Sequence, residues 1–457
     1  MSQPTMTDTR TPISIFDEHH PPSPELIGEC VHCGFCLPTC PTYLLWGNEM
    51  DSPRGRIYLM SVGIEGNAEW SDRYVRHFDQ CLGCMACLTA CPSGVQYDKL
   101  IEATRAQVER HYPRSIPDRW FRRMLFWLFP HPNRLRILAA PLWLYQALGL
   151  RKLVQRSGVL DRLPARLKSM EALLPPVKVS ALRSPVPRFT QAQGTRRRRV
   201  GLLLGCVQRV FFAEANAATA RVLAAEGCEV VAPPEQGCCG ALMVHAGQEA
   251  DALNLARRTI DLFEQAAVDT VVINAAGCGS TVKEYGWLLR DDPLYAERAK
   301  AFVKKCKDIS ELLAQLEPRA KRHPLHLRVA YHDACHLQHA QQIKMQPRDV
   351  LGTIPGLQLL EIPEAAICCG SAGIYNLTEP EPAQELGDRK VKHILSTGAE
   401  LVASSNPGCL LQIMNGFQRA GHALPAVHMV ELLDASIRGM PASVVLKGSG
   451  TNYTGNR

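Results

Sequence analysis

Two cysteine runs constrain this 457-residue chain more than any other feature. They are Cys30-Val31-His32-Cys33-Gly34-Phe35-Cys36-Leu37-Pro38-Thr39-Cys40-Pro41 and Cys81-Leu82-Gly83-Cys84-Met85-Ala86-Cys87-Leu88-Thr89-Ala90-Cys91-Pro92. Both read C-x2-C-x2-C-x3-C-P. Three thiolates set two residues apart wrap one face of an iron–sulfur cube, and the fourth, ahead of a proline that turns the chain away, reaches the other cluster of a pair. The spacing predicts that Cys30, Cys33, Cys36 and Cys91 hold one [4Fe–4S] cluster and that Cys81, Cys84, Cys87 and Cys40 hold a second. Such clusters move one electron at a time, so the predicted task is electron transfer. Zinc also uses C-x2-C pairs, but it needs only four ligands and leaves the doubled C-x3-C-P without a role. A disulfide framework suits small secreted chains, not one of this length with no export signal.

Length alone predicts two to four domains. Residues 1–26 are polar and contain proline but no apolar core of a signal peptide, and read as a loose cytoplasmic lead-in. The net charge of +7 is unevenly placed: residues 110–170 carry thirteen Arg or Lys against Asp118 and Asp161. Aromatics interleave with these charges at Trp120, Phe121, Phe126, Trp127, Phe129, Trp143 and Tyr145. The longest uncharged apolar stretch, 137–150, has 14 residues and contains Pro141, whereas a spanning helix needs about 20. Residues 119–150 therefore read either as helices lying in a headgroup region or as helices that pack on a neighbouring domain or partner subunit. A basic tract alone is non-specific, and no nucleic-acid partner is expected. The run Arg196-Arg197-Arg198-Arg199 reads as a solvated strand edge.

A Pro- and Arg-rich linker at about 174–195 precedes an internal repeat. Cys206, Cys238-Cys239-Gly240 and Cys278 in one half match Cys335, Cys368-Cys369-Gly370 and Cys409 in the other, at offsets of 129, 130, 130 and 131 residues. Short apolar runs at 200–204, 229–232 and 270–274, and again at 327–331, 358–361 and 401–404, predict strands. Helices are expected between them, such as 213–226 and 248–265. Strand–helix alternation implies parallel sheets. The cysteines then fall at strand ends or in the following loops, where sites in such sheets form. Four converging cysteines, two of them adjacent, suit a multi-metal cluster or a thiol–disulfide relay better than one tetrahedral zinc. Cys206, Cys238, Cys239 and Cys278 are thus a candidate third site, and Cys335, Cys368, Cys369 and Cys409 a fourth. Cys228 and Cys306 have no counterpart in the repeat and read as buried small hydrophobes. His245, His332, His336 and His339 accompany these loops, and His336 and His339 have the better case as ligands because they follow Cys335 closely.

These residues carry a resemblance. The two cysteine runs, the intervening Ser52-Pro53-Arg54-Gly55-Arg56-Ile57, and the paired Cys-Cys-Gly motifs with Gly277-Cys278-Gly279 and Ser371-Ala372-Gly373 resemble the iron–sulfur subunits of glycolate oxidase. The resemblance runs from about Leu26 to Ile437. It implies two flavin-binding partner subunits that carry FAD and oxidise glycolate to glyoxylate, often D-lactate as well. This chain would pass the electrons toward quinone at the inner face of the cell membrane, as a cytoplasmic, peripheral subunit. Related Cys-Cys-Gly modules of heterodisulfide reductases end in C-x2-C. Here Gln412 and Thr281 stand where the second cysteine would be, so four-thiolate sites are expected instead.

The chain has no phosphate-binding P-loop, no dinucleotide fingerprint and no nucleophile elbow. Hydride removal from a 2-hydroxy acid is expected on another chain, where a flavin suits the two-electron step. Two other functions stay open. One is the same wiring role for D-lactate, glycerol 3-phosphate or a heterodisulfide. The other is an iron–sulfur redox sensor, against which the tandem cluster runs argue. The expected architecture is α+β overall. A flexible lead-in (1–26) is followed by a helical two-cluster ferredoxin-like domain (27–105) and a basic, aromatic helical segment with linker (106–195). Two tandem α/β Cys-Cys-Gly domains with parallel sheets (196–320 and 321–440) and a flexible tail (441–457) complete it.

Overall fold

In the computed structural model, residues 14–177 and 186–447 are described. The expected tail from 448 on, the lead-in before residue 14 and the centre of the Pro-rich linker lie outside them. The chain divides into two compact units, one ending at Arg114 and one beginning at Ser115.

The first unit is helical. Its helices are Pro24–Gly28, Pro41–Trp46, Pro53–Ile64, Asp72–Asp79, Ala86–Ala90 and Tyr97–His111. Three of them start on proline, whose fixed φ and missing N–H suit a first helical turn, and Ser52 caps Pro53–Ile64 by accepting from the Gly55 amide at 3.0 Å. Met60, Phe78, Leu100 and Ile101 are fully buried between them. Within the expected lead-in, Phe16 is buried edge-on against Trp70 and Asp17 accepts from Arg110 Nε at 2.9 Å. This part of the lead-in is anchored by packing that its polar composition conceals.

The second unit begins with helices Ile116–Leu128, Pro132–Ala147, Leu150–Arg156 and Ala165–Ala172. Their aromatics divide by helix face. Leu125 is buried with Phe121, Phe126 and Phe129 around it, against Ala246, Ile374 and Leu377 of the later repeats. Trp127, Ile137 and Leu148 face outward at 56%, 72% and 63% exposure. No helix among the described residues is long and apolar enough to cross a membrane.

Two sheets follow. The first comprises β1 (Phe189–Thr190), β2 (Arg198–Leu203), β3 (Cys228–Val231), β4 (Thr270–Ile273) and β5 (Cys306–Asp308), in the order β1-β3-β2-β4-β5. The second comprises β6 (Leu327–His332), β7 (Leu357–Leu360), β8 (Leu401–Ser404) and β9 (Ala426–His428), in the order β7-β6-β8-β9. Every pairing is parallel except β1 on β3. In the first sheet β2 lies between β3 and β4, and in the second β6 lies between β7 and β8, so chain direction across the sheet reverses beside β2 and beside β6. A crevice opens at the carboxyl ends of strands at such a point.

Alternation along β2 decides which layer meets which. Val200 and Leu202 face the helix Ala213–Ala225, while Leu203 faces the helix Glu249–Gln265. The first face is shared between the repeats. Val200, Leu202 and Val272 of one sheet and Val329, Tyr331 and Ala403 of the other belong to one continuous core. Between the sheets, helix Ala213–Ala225 packs on Met429–Ile437, and Ile309–Gln315 packs on Gln346–Gly352. Those two pairings are the same contact repeated with the halves exchanged.

Candidate metal centres

In the first unit the two cysteine runs coil alike. His32 and Gly34 have left-handed backbone, and so do Gly83 and Met85 at the same places in the second run. A non-glycine residue there costs about 1–2 kcal/mol, so each run holds one strained residue that turns the chain inward. One cavity, about 430 Å³ with its open mouth, is lined by Cys30, Cys33, Cys36, Cys87 and Cys91. Another, about 310 Å³, is lined by Cys40, Cys81, Cys84 and Cys87. The last cysteine of each run therefore lies on the cavity of the other run, and Cys87 borders both.

The two cavities differ in surroundings. Cys33 is exposed, and burial pushes the Cys30 and Cys36 thiols up. Around the second cavity all four cysteines are buried. Burial there opposes the Cys81 thiolate, but the Arg56 and Arg105 guanidinium groups outweigh it and hold Cys81 below the ordinary thiol value. Tyr97 Oη donates to Cys81 Sγ at 3.5 Å and the Gly83 amide at 3.4 Å. Arg56 is itself fixed by donating to the Asp51 carbonyl at 2.6 Å and the His77 carbonyl at 2.5 Å, and Arg105 donates to the Cys81 carbonyl. Sequence reasoning missed the roles of Arg56, Arg105 and Tyr97. The one signal available was the basic pair Arg54 and Arg56 between the runs.

In the second unit each repeat gathers its four cysteines at the crevice. Cys206 Sγ lies 3.5 Å from Cys238 Sγ, and Cys239 hydrogen-bonds to both Cys238 and Cys278. Cys335 Sγ lies 3.9 Å from Cys368 Sγ, and Cys369 hydrogen-bonds to both Cys368 and Cys409. Hydrogen bonds that the protonated thiols donate to neighbouring cysteine sulfurs, together with burial, push Cys206, Cys368 and Cys409 up. Thiols this close cannot all ionise without a compensating cation, and metal binding requires the thiolate. The donor chemistry therefore fits a polynuclear metal group. Cys278 and Cys409 lie in the opening turns of helices Ala276–Lys283 and Pro407–Arg419, not in loops as the sequence suggested, because the chain turns helical within two residues of β4 and β8.

The histidines sort differently from their sequence ranking. His339 uses Nε2 to donate to the Ala366 carbonyl at 3.0 Å. His336 bridges the repeats: its Nδ1 is 3.4 Å from Cys335 Sγ, and its Nε2 is 2.8 Å from His245 Nε2. His332, ranked lower, shares a 4.8 Å cluster of donor atoms with Cys369 and Cys409. Cys228 and Cys306 stand apart from both groups. Cys228 is packed in the shared core, and Cys306 Sγ donates to the Phe302 carbonyl at 3.3 Å.

Comparison with known proteins matches each region. The family described as 4Fe-4S dicluster domain matches residues 27–95, and the cysteine-rich domain matches 200–283 and 329–414. The linker region of the glycolate oxidase iron-sulfur subunit matches residues 117–174. A probable glycolate oxidase iron-sulfur subunit of Bacillus subtilis is 42% identical over 88% of this chain and 92% of its own length. The glycolate oxidase iron-sulfur subunit of Escherichia coli is 39% identical over 84% of this chain and 89% of its own. Lactate utilization protein A of Halalkalibacterium halodurans is 32% identical over 52% of this chain and 96% of its own.

Proposed function

We propose, because the chain belongs to the family of glycolate oxidase iron-sulfur subunits, that it is the electron-transfer subunit of a glycolate dehydrogenase complex. Glycolate is oxidised to glyoxylate on flavin-binding partner subunits that carry FAD. The two electrons released leave one at a time through this chain toward quinone at the membrane. The observation that carries the reading is the crosswise sharing of cysteines between the two cavities, with Cys91 on the first and Cys40 on the second.

Cys30, Cys33, Cys36 and Cys91 would hold one [4Fe–4S] cluster, and Cys81, Cys84, Cys87 and Cys40 the other; a cluster bound there supplies reversible one-electron transfer. The protein's own contribution is charge and shielding. Arg56 and Arg105 offset the negative charge gathered at Cys81, and Tyr97 and the Gly83 amide donate to its sulfur, which favours the thiolate. We assign further iron–sulfur groups to Cys206, Cys238, Cys239 and Cys278, and to Cys335, Cys368, Cys369 and Cys409. The domains run 27–105, 106–195, 196–320 and 321–440. The outward aromatic and basic side of 119–150, with Arg134 over Trp127 at 4.5 Å, suits a peripheral seat on the cytoplasmic face of the membrane. D-lactate, oxidised to pyruvate, is the second donor in this reading; a relative that matches about half of the chain is a lactate utilization protein.

The test is anaerobic co-purification with the flavin partners, followed by glycolate addition and observation of the cluster absorbance. Fast bleaching by glycolate, with D-lactate equal or slower, is the expected result. Bleaching by dithionite but not by glycolate would overturn the donor assignment.

A further inference from the structure

The two Cys-Cys-Gly repeats match strand for strand, so one departure from the match is informative. Leu203 ends β2 and pairs with Ile273 of β4; His332 ends β6 and pairs with Ser404 of β8. The two residues occupy the same register position on the same sheet face. Leu203 packs with Cys206, Cys238 and Cys239, as an apolar residue at a buried strand end should. His332 is also buried, at 1% exposure, yet neither of its ring nitrogens finds a nitrogen or oxygen partner among the described residues, and its side chain interacts with the Cys369 thiol instead. A buried polar atom left without a partner is destabilising, and leucine in the matching place shows that the fold itself does not require a polar group.

What the imidazole meets is sulfur. A ring nitrogen of His332, Cys369 Sγ and Cys409 Sγ all lie within 4.8 Å of one another, and Asn406 Nδ2 donates to Cys409 Sγ at 3.3 Å. The remaining thiols are beside them, with Cys335 Sγ 3.9 Å from Cys368 Sγ. Gln412, three residues past Cys409, is occupied elsewhere: it donates to the Ala383 carbonyl at 2.8 Å and accepts from Asn376. The chain after Cys335 forms a turn of π-helix, His336–Ala340, where the first repeat has the ordinary helix Val207–Phe211. Such turns occur often at functional sites.

We infer that His332 is the fifth ligand of an iron–sulfur group in the second repeat, completing a set with Cys335, Cys368, Cys369 and Cys409, whereas the first repeat offers four thiolates alone. This rests on the reading that the Cys-Cys-Gly cysteines hold iron. A neutral imidazole donates a lone pair without adding the charge of a thiolate, and a cluster with thiolate in place of imidazole has a lower reduction potential. The two repeats are then inequivalent, the second holding its iron through five side chains and the first through four.

The experiment uses the full chain, produced with ¹⁵N-labelled histidine and reconstituted anaerobically with ferrous iron and sulfide. Iron is counted, and pulsed EPR of the reduced protein looks for histidine nitrogen coupled to the cluster spin. Wild type should show the coupling. His332→Leu, which installs the residue the first repeat already folds with, should lose it and release iron to a chelator about tenfold faster. His332→Cys should retain iron without the coupling and shift that group to lower potential. Iron above that of a Cys368→Ser/Cys369→Ser variant, but with no histidine coupling or with coupling that persists in His332→Leu, overturns the assignment and leaves the underlying reading intact. Iron equal to that of the Cys368→Ser/Cys369→Ser variant overturns both.

Discussion

The two Cys-Cys-Gly repeats are built on the same strand order and share one apolar core, yet they diverge at matched strand ends. Where β5 ends in Asp308, β9 ends in His428, and each residue caps the next helix in a capping box, with Glu311 and with Glu431. The caps are chemically opposite. Asp308 presents a carboxylate oxygen to the Ser310 amide at 2.8 Å; His428 presents Nδ1 to the Val430 amide at 3.2 Å and donates from Nε2 to the Asn274 carbonyl of the other repeat at 2.7 Å. The helix needs only an acceptor at that point. Strand interiors are held by packing, which tolerates little change, whereas strand ends need one acceptor or one volume filled. They are therefore where two copies of a fold can take up different chemistry, as His332 and Leu203 also do.

The largest expected contrast lies at the glycines after the cysteine pairs. Gly240 and Gly370 both have φ of +87°. A Cβ on Gly370 would be driven into the Ala383 carbonyl oxygen, while one on Gly240 would meet the matching Ala252 carbonyl at 3.4 Å. Gly370→Ala should cost about 3–5 kcal/mol, from overpacking added to the left-handed penalty, and Gly240→Ala about 1–2 kcal/mol. Urea midpoints of the two variants compare them directly, and equal shifts would break the asymmetry.

The two caps predict opposite pH dependence. Burial, only partly offset by the bond to Asn274, lowers His428 to about 4. Its contribution is complete above the unfolded value near 6.5 and is lost as pH falls through 6.5 toward 4, a change of roughly 3 kcal/mol. Burial raises Asp308 to about 6, against the bonds from Ser310. Its neutral form is the stable one, so its contribution is complete below about 3.8 and is lost as pH rises through 6, again by roughly 3 kcal/mol. His428→Asn should flatten the acid loss of stability. Asp308→Asn should stabilise the protein by about 2 kcal/mol at pH 8 and not at pH 4. Denaturation curves at pH 4, 6 and 8 check both, and parallel profiles for the two variants would remove the distinction.

The smallest effect belongs to the seam between the repeats. Arg221 of helix Ala213–Ala225 pairs with Asp434 of helix Met429–Ile437 at 2.7 Å, but its side chain is 37% exposed. Arg221→Met should cost about 0.5–1 kcal/mol at low salt and less at high salt. A loss several times larger, measured by the same denaturation, would mean that this pair rather than the shared core joins the copies.

Much of this architecture was legible in the residues. The strand 401–404 coincides with β8, and β2, β3, β4, β6 and β7 differ from their expected bounds by one or two residues, because buried parallel strands read as apolar runs. The strands β5 and β9 escaped notice: each is three residues long, and Cys-Lys-Asp and Ala-Val-His give no apolar run. So did β1, whose two residues sit in a Pro- and Arg-rich stretch and owe their strand form to pairing with β3. Closeness in sequence to Cys335 favoured His336 and His339; His336 does meet Cys335 Sγ, whereas the π-helical turn carries His339 to a backbone carbonyl and strand alternation sets His332 beside Cys369 and Cys409.

By itself the sequence determined the coiling of each cysteine run, since within ten residues the chain can direct its thiols in few ways, and the matched register of the repeats, since apolar periodicity and spacing are local properties. Tertiary structure alone decided that Arg56 and Arg105 converge on Cys81, that the repeats share a core, and that His332 faces Cys369 and Cys409 across two strands. Those neighbours are separated by 24 to 77 residues along the chain. They meet only once strand pairing and core packing have fixed the face and depth at which each side chain emerges.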